Sequence, residues 1–149
     1  MTRYELLKFI HVLFAVVWVG GGLLALLFSI RTQRASREHR LGFARDMTFA
    51  ADRVFAPAAM TTLLFGILMV LDASALSFGD TWILIGFGGI ALSIAIGVGM
   101  LTPLSKKLVG ELEGGGEGTA PLARIIQLSY LDNLILLVVV WAMITKPGA

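Results

Sequence analysis

The chain has 149 residues, 57% of them hydrophobic and 15% charged, with a mean hydropathy of +0.86. A soluble domain carries about 25% charged residues, so the composition is that of a membrane protein. A net charge of +2 with no basic stripe interleaved with aromatics excludes nucleic acid as a partner, and zero cysteines exclude disulfides, thiolate metal sites, iron–sulfur clusters and covalent c-type haem.

Four apolar segments follow in order, at about residues 6–30, 54–71, 81–104 and 121–145. Each approaches the ~20 helical residues that a hydrocarbon core of about 30 Å requires. The predicted fold class is all-α: a four-helix transmembrane bundle in one domain over 1–149, with helices at about 4–30, 40–72, 80–105 and 121–146. No small-x-small cleavage site follows the first segment, so it is read as a retained helix.

The first segment carries Tyr4, Lys8, His11, Ala15, Trp18 and Gly22 on one helical face. Lipid offers a polar and aromatic stripe no partner, so this face is expected to turn towards other protein or a cavity. The loop that follows holds Arg31, Arg34, Arg37, Arg40 and Arg45, the next loop has no Lys or Arg, and the last holds Lys106, Lys107 and Arg124. The positive-inside rule then places the first and third loops in the cytoplasm and both termini outside.

Phe43, Met47, Ala50, Ala51, Val54 and Phe55 recur at three- and four-residue spacing, so the second helix is expected to begin well before the bilayer. Pro57 deprives the Arg53 carbonyl of its helical donor and predicts a bend just inside the cytoplasmic boundary. Asp80 is a candidate N-cap for the third helix. That helix has no charge from residue 81 to 104 and carries two ridges of small residues, Gly89/Ser93/Gly97 and Ala91/Ala95/Gly99. Such ridges let helices approach closely in lipid, and two of them make a homodimer plausible beside the bilayer itself as partner. The run from Gly114 to Gly118 reads as a linker.

In the fourth segment the purely apolar part, residues 134–144, is too short to span, so the helix must extend back through Asn133, Asp132 and Tyr130. Counting about 1.5 Å per residue from Thr145 puts Asp132 about 20 Å deep. An intramembrane carboxylate faces a partner or water, and Arg53 is the expected partner, with Arg124 and Arg45 as rivals. The intramembrane polar group is thus Asp132, Arg53 and Asn133, read either as structural glue or as a proton, ion or small-solute relay in an oligomeric carrier. Trp18 and Trp141 read as core aromatics, and Trp82 fits the outer aromatic belt. Nearer the outer surface, His11 shares its leaflet with Met69 and Met143. An imidazole with thioethers suits copper(I) or a haem b iron, and the alternatives are a proton-handling group or a plain interhelical hydrogen bond.

The run LKFIHVLFAVVWVGGG at 7–22, the four-span pattern and the closing MITKP at 143–147 resemble a bacterial family of predicted integral membrane proteins, domain of unknown function 2269. That resemblance implies a multi-pass protein of the bacterial inner membrane. The spacing of Lys8, His11 and Trp18 is also similar to the first helix of copper-resistance protein D and of haem-containing membrane protoporphyrinogen oxidase. In those groups this histidine is implicated in metal or haem handling, which the resemblance carries onto His11 alone. The chain's other histidine, His39, lies in the arginine-rich loop, so bis-histidine haem ligation would take His11 from two subunits.

Overall fold

The computed structural model describes residues 1–148, which form four long helices: α1 (Arg3–Thr32), α2 (Arg37–Asp72), α3 (Thr81–Glu113) and α4 (Thr119–Thr145). All four are long and apolar enough to cross a membrane, and no strand occurs among the described residues. Local signals set the starts. Thr2 and Glu5 form a reciprocal capping box at α1, with Glu5 N–H donating to Thr2 Oγ1 at 3.2 Å and Thr2 N–H to Glu5 Oε2 at 2.7 Å. Ser36 caps α2 through His39 N–H. Asp80 does occupy the N-cap position of α3, but its carboxylate turns back to accept from Ser77 N–H at 3.0 Å, so it closes the preceding turn instead of capping. Gly118 precedes α4 with a φ of 62°, a left-handed backbone that suits glycine.

The helices run antiparallel, so the two chain ends and the loop between α2 and α3 share one end of the bundle. There Arg3 Nε meets Asp72 Oδ1 at 3.1 Å and Lys146 lies 5.2 Å over the Trp82 ring. Within the spans α1 packs along α2, α3 packs along α4, and α1 also meets α4; α2 and α3 pack together at the arginine-rich end, between residues 37–50 and 102–113, and touch at only a few points beyond it. The small ridge of α3 explains its seat: a Cβ on Gly89 would strike Val139 of α4. The other ridge, Ala91, Ala95 and Gly99, lies exposed on the outside. Trp18 is in the central core with Ala58, Ala59, Ile90, Leu136 and Val139, while Trp141 is exposed on the lipid side rather than in the core.

The two middle helices outrun the bilayer. At 1.5 Å per residue, 36 and 33 residues make α2 about 54 Å and α3 about 50 Å long, against a hydrocarbon core of about 30 Å. The third helix was expected to end near residue 105, and it continues to Glu113 because Leu108 and Leu112 repeat at one helical face. They form a second core with Leu26, Ala44, Leu122 and Ile126. Ion pairs tie this arginine-rich end together: Arg45 Nη2 to Glu113 Oε1 at 2.7 Å and Arg40 Nη1 to Glu117 Oε2 at 3.1 Å. Arg40 also donates to the Gln33 and Glu117 carbonyls, at 2.9 and 2.8 Å, and so clamps two loops.

Both long helices contain a π-helical turn at matching places, Ala51–Phe55 in α2 and Gly97–Leu101 in α3. Each ends two residues before a proline, Pro57 and Pro103. Ala56 N–H reaches back five residues to the Ala51 carbonyl, and Thr102 N–H likewise reaches Gly97. A proline removes one helical donor, and the widened turn before it takes up the mismatch. The bend expected at Pro57 therefore takes the form of a π-turn within a continuous helix, and Pro103 supplies a second.

Candidate functional site

The two π-turns face each other across the gap between α2 and α3 and border an intramembrane cavity of about 350 Å³. Its walls take Trp18, Gly22 and Ala25 from α1, Asp52 and Phe55 from α2, Ser93, Thr102 and Ser105 from α3, and Ser129, Asp132 and Asn133 from α4. Phe55 reaches its place because its ring packs over Gly21, where a Cβ would collide with it.

Asp132 is partly buried, and Ser93 Oγ donates to its Oδ1 across the α3–α4 contact. Ser93 is itself buried. Asn133 is held by its amide, which donates to the Ser129 carbonyl at 2.8 Å and more loosely to Gly22 of α1 at 3.4 Å. Among the described residues no arginine or lysine lies within ion-pair distance of Asp132. Arg53 is exposed on the outer side of α2, Arg45 pairs with Glu113, and Arg124 donates to Gln127 at 3.3 Å on its own helix. The expected Arg53–Asp132 pair is thus absent. Arg53 sits one residue after Asp52, about 100° around the helix, and it is Asp52 that takes the cavity face. The cavity's charged lining consists of Asp52 and Asp132, with no cationic side chain.

A smaller cavity, about 60 Å³, lies towards the end that bears the chain termini. It is lined by His11, Met69 and Met143, with Thr62, Gly66 and Trp82 among the others, so the three residues expected in one leaflet do share one space. His11 Nδ1 is 2.8 Å from the Thr62 carbonyl. A carbonyl can only accept, so that bond needs the proton on Nδ1 and leaves Nε2 with its lone pair. The ring lies so close over α2 that a Cβ on Gly66 would sit 3.1 Å from His11 Cε1. No group of three or more His, Cys, Asp or Glu that could hold a metal occurs among the described residues. Of the polar face expected on α1, His11, Ala15, Trp18 and Gly22 turn inward, whereas Lys8 is exposed.

The model of the family described as predicted integral membrane protein (DUF2269) matches residues 5–147 of the chain. No curated protein and no solved structure matches it.

Proposed function

The chain belongs to that family of predicted integral membrane proteins, and on this premise we propose that it binds a cation in the cavity beside Asp132 and carries it through the bilayer. The observation that supports this reading is the acidic lining: Asp52 and Asp132 border a largely apolar cavity, Asp132 at membrane depth, with no positive side chain between them. A carboxylate there costs about 2.5 kcal/mol or more on insertion scales, and such residues mark ion and substrate paths. Ser93 gives Asp132 one donor; a bound cation or water would satisfy the remaining lone pairs. π-Turns recur at functional sites, and here two of them form opposite walls. The positive-inside rule supports placing the arginine-rich end in the cytoplasm of a bacterial inner membrane. The exposed ridge of Ala91, Ala95 and Gly99 supports a homodimer. The test is cation flux in vesicles reconstituted with wild type or with Asp132→Asn, which keeps shape and removes charge. Flux should be lost in the variant, and equal flux in both overturns the reading.

A second reading rests on a separate observation, the hydrogen bond between His11 Nδ1 and the Thr62 carbonyl. With Nδ1 engaged by Thr62, Nε2 is free to ligate, and Met69 and Met143 border the same cavity. This donor set fits one copper(I) ion, and a histidine fixed through its other nitrogen is the usual second-sphere arrangement at a metal. A cavity of about 60 Å³ suits an ion and is far below the ~300–1,000 Å³ of organic-ligand sites. Haem b would therefore need a site shared by two copies. Anaerobic copper(I) titration against a chromogenic chelator tests the ion: one equivalent should be retained by wild type and lost in His11→Ala, and no retention by wild type removes this reading.

A further inference from the structure

We infer that the ligand of the larger cavity is a small organic ammonium cation, and that it enters sideways from the bilayer between α2 and α3. The inference rests on the carrier reading above and names its substrate class and its route.

Size comes first. A cavity of about 350 Å³ falls within the ~300–1,000 Å³ range of small-molecule sites and far exceeds what one inorganic ion fills. Wall chemistry comes second. Beside the two carboxylates the cavity is bordered by the aromatic side chains of Trp18 and Phe55, from helices α1 and α2. An aromatic face attracts a cation, more strongly when water is excluded, and aromatic walls are the recurrent means of holding alkylated ammonium groups. A sodium or potassium site would instead be built from converging oxygens around a volume near that of the ion. Ser105 and Ser129 also border the cavity and can serve a polar substituent of the ligand, whereas the Thr48 and Thr102 hydroxyls donate to the Ala44 and Gly97 carbonyls of their own helices and can only accept.

The route follows from exposure. The exposed lining residues are Asp52, Ala56, Met60 and Val98. All four belong to α2 or α3, so the mouth lies where those helices touch least. Met60 and Val98 are 58% and 66% exposed within apolar spanning stretches, so at the mouth they meet acyl chains, with Asp52 at its arginine-rich edge. An ammonium head could rest near Asp132 while an alkyl substituent leaves through this apolar mouth.

Equilibrium dialysis of the full chain in an uncharged maltoside detergent tests the inference, with labelled tetraethylammonium, choline, the neutral carbon isostere of choline (3,3-dimethyl-1-butanol), sodium and rubidium as probes. Tetraethylammonium and choline should bind saturably, the neutral isostere should not, and Asp132→Asn should weaken both by about tenfold, equivalent to ~1.4 kcal/mol. In lipid vesicles, where rapid filtration of labelled tetraethylammonium reads the association rate, Val98→Trp at the mouth should slow association without lowering helicity or thermal stability. The isostere comparison needs no variant, so it stands even if Asp132→Asn fails to fold. Asp132-dependent binding of sodium or rubidium without tetraethylammonium or choline overturns the organic-cation inference and leaves the carrier reading standing. Equal binding of choline and its isostere also overturns it. Failure of every cation to bind overturns both. Unchanged association rates in a folded Val98→Trp variant overturn the lateral route.

Discussion

Whether Asp132 belongs to Ser93 or to Arg53 can be decided by a double-mutant cycle. Ser93 is buried and donates to the carboxylate across two helices, whereas Arg53 is exposed. Interhelical hydrogen bonds in membranes couple by about 0.6 kcal/mol on average and ~1.7 kcal/mol at most. Hydrogen bonds to a charged group reach about 1.5–3 kcal/mol. The Ser93–Asp132 coupling is therefore expected near 1.5 kcal/mol, the overlap of those ranges. An exposed arginine contributes about 0–1 kcal/mol even when an acid is near, and since Arg53 forms no ion pair with Asp132 the coupling should be close to zero. The assay is reversible unfolding of the four cycle members (wild type, Ser93→Ala, Asp132→Asn and the double variant) in mixed micelles of increasing dodecyl sulfate, followed by helicity. The same cycle is then built with Arg53→Gln. A coupling below about 0.3 kcal/mol for Ser93–Asp132, within the scatter of independent sites, together with a larger one for Arg53–Asp132, would refute the assignment of the carboxylate made from the structure.

Gly66→Ala should displace the His11 ring by a few tenths of an ångström, because the new Cβ would sit 3.1 Å from Cε1; losing much of the Thr62 bond costs about 0.5–1.5 kcal/mol, readable in the same unfolding assay and as an altered imidazole proton resonance. Gly89→Ala should cost about 1–3 kcal/mol, since Val139 must move and a β-branched side chain moves poorly; an unchanged midpoint would show that α3 and α4 are further apart than described. Arg40→Lys should destabilise by about 1–2 kcal/mol, because one ammonium cannot span the Gln33 and Glu117 carbonyls as the planar fork does; Arg45→Lys, at a pair open to solvent, should change stability little. Pro57→Ala and Pro103→Ala restore a helical donor each and should shrink the cavity while raising helix stability, seen as weaker cation binding at an unchanged or higher unfolding midpoint.

The spans were legible because hydropathy over about 20 residues is a strong signal, and the inward face of α1 was legible because His11, Trp18 and Gly22 recur at helical spacing. Asp132 was also legible, since the apolar run after it is too short to span. Its partner was not. Hydropathy gives depth, and depth alone placed Arg53 level with Asp132; the azimuth that separates Arg53 from Asp52 depends on how the neighbouring helices seat. Ser93 was hidden for a different reason, because its ridge with Gly89 and Gly97 already had a packing explanation. The extension of α3 to Glu113 was missed because Lys106 and Lys107 interrupt the hydropathy, although Leu108 and Leu112 carry the face that packs. Met69 and Met143 border the His11 cavity, but leaflet position gives only their depth; that both turn towards it depends on azimuth, as with Arg53.

The paired π-turns have a mechanical corollary. Each stores one surplus residue in a rod that is otherwise regular, and relaxing that turn to ordinary α-geometry would rotate everything beyond it by about 100° and lengthen the rod by roughly 1.5 Å. In α2 the portion that turns carries Thr48 and Asp52, and in α3 it carries Thr102 and Ser105. Twisting these two shafts would swing that polar rim out of alignment with the carboxylate above it, and it would have to unseat Ala44, Leu108 and Leu112 from Leu26, Leu122 and Ile126.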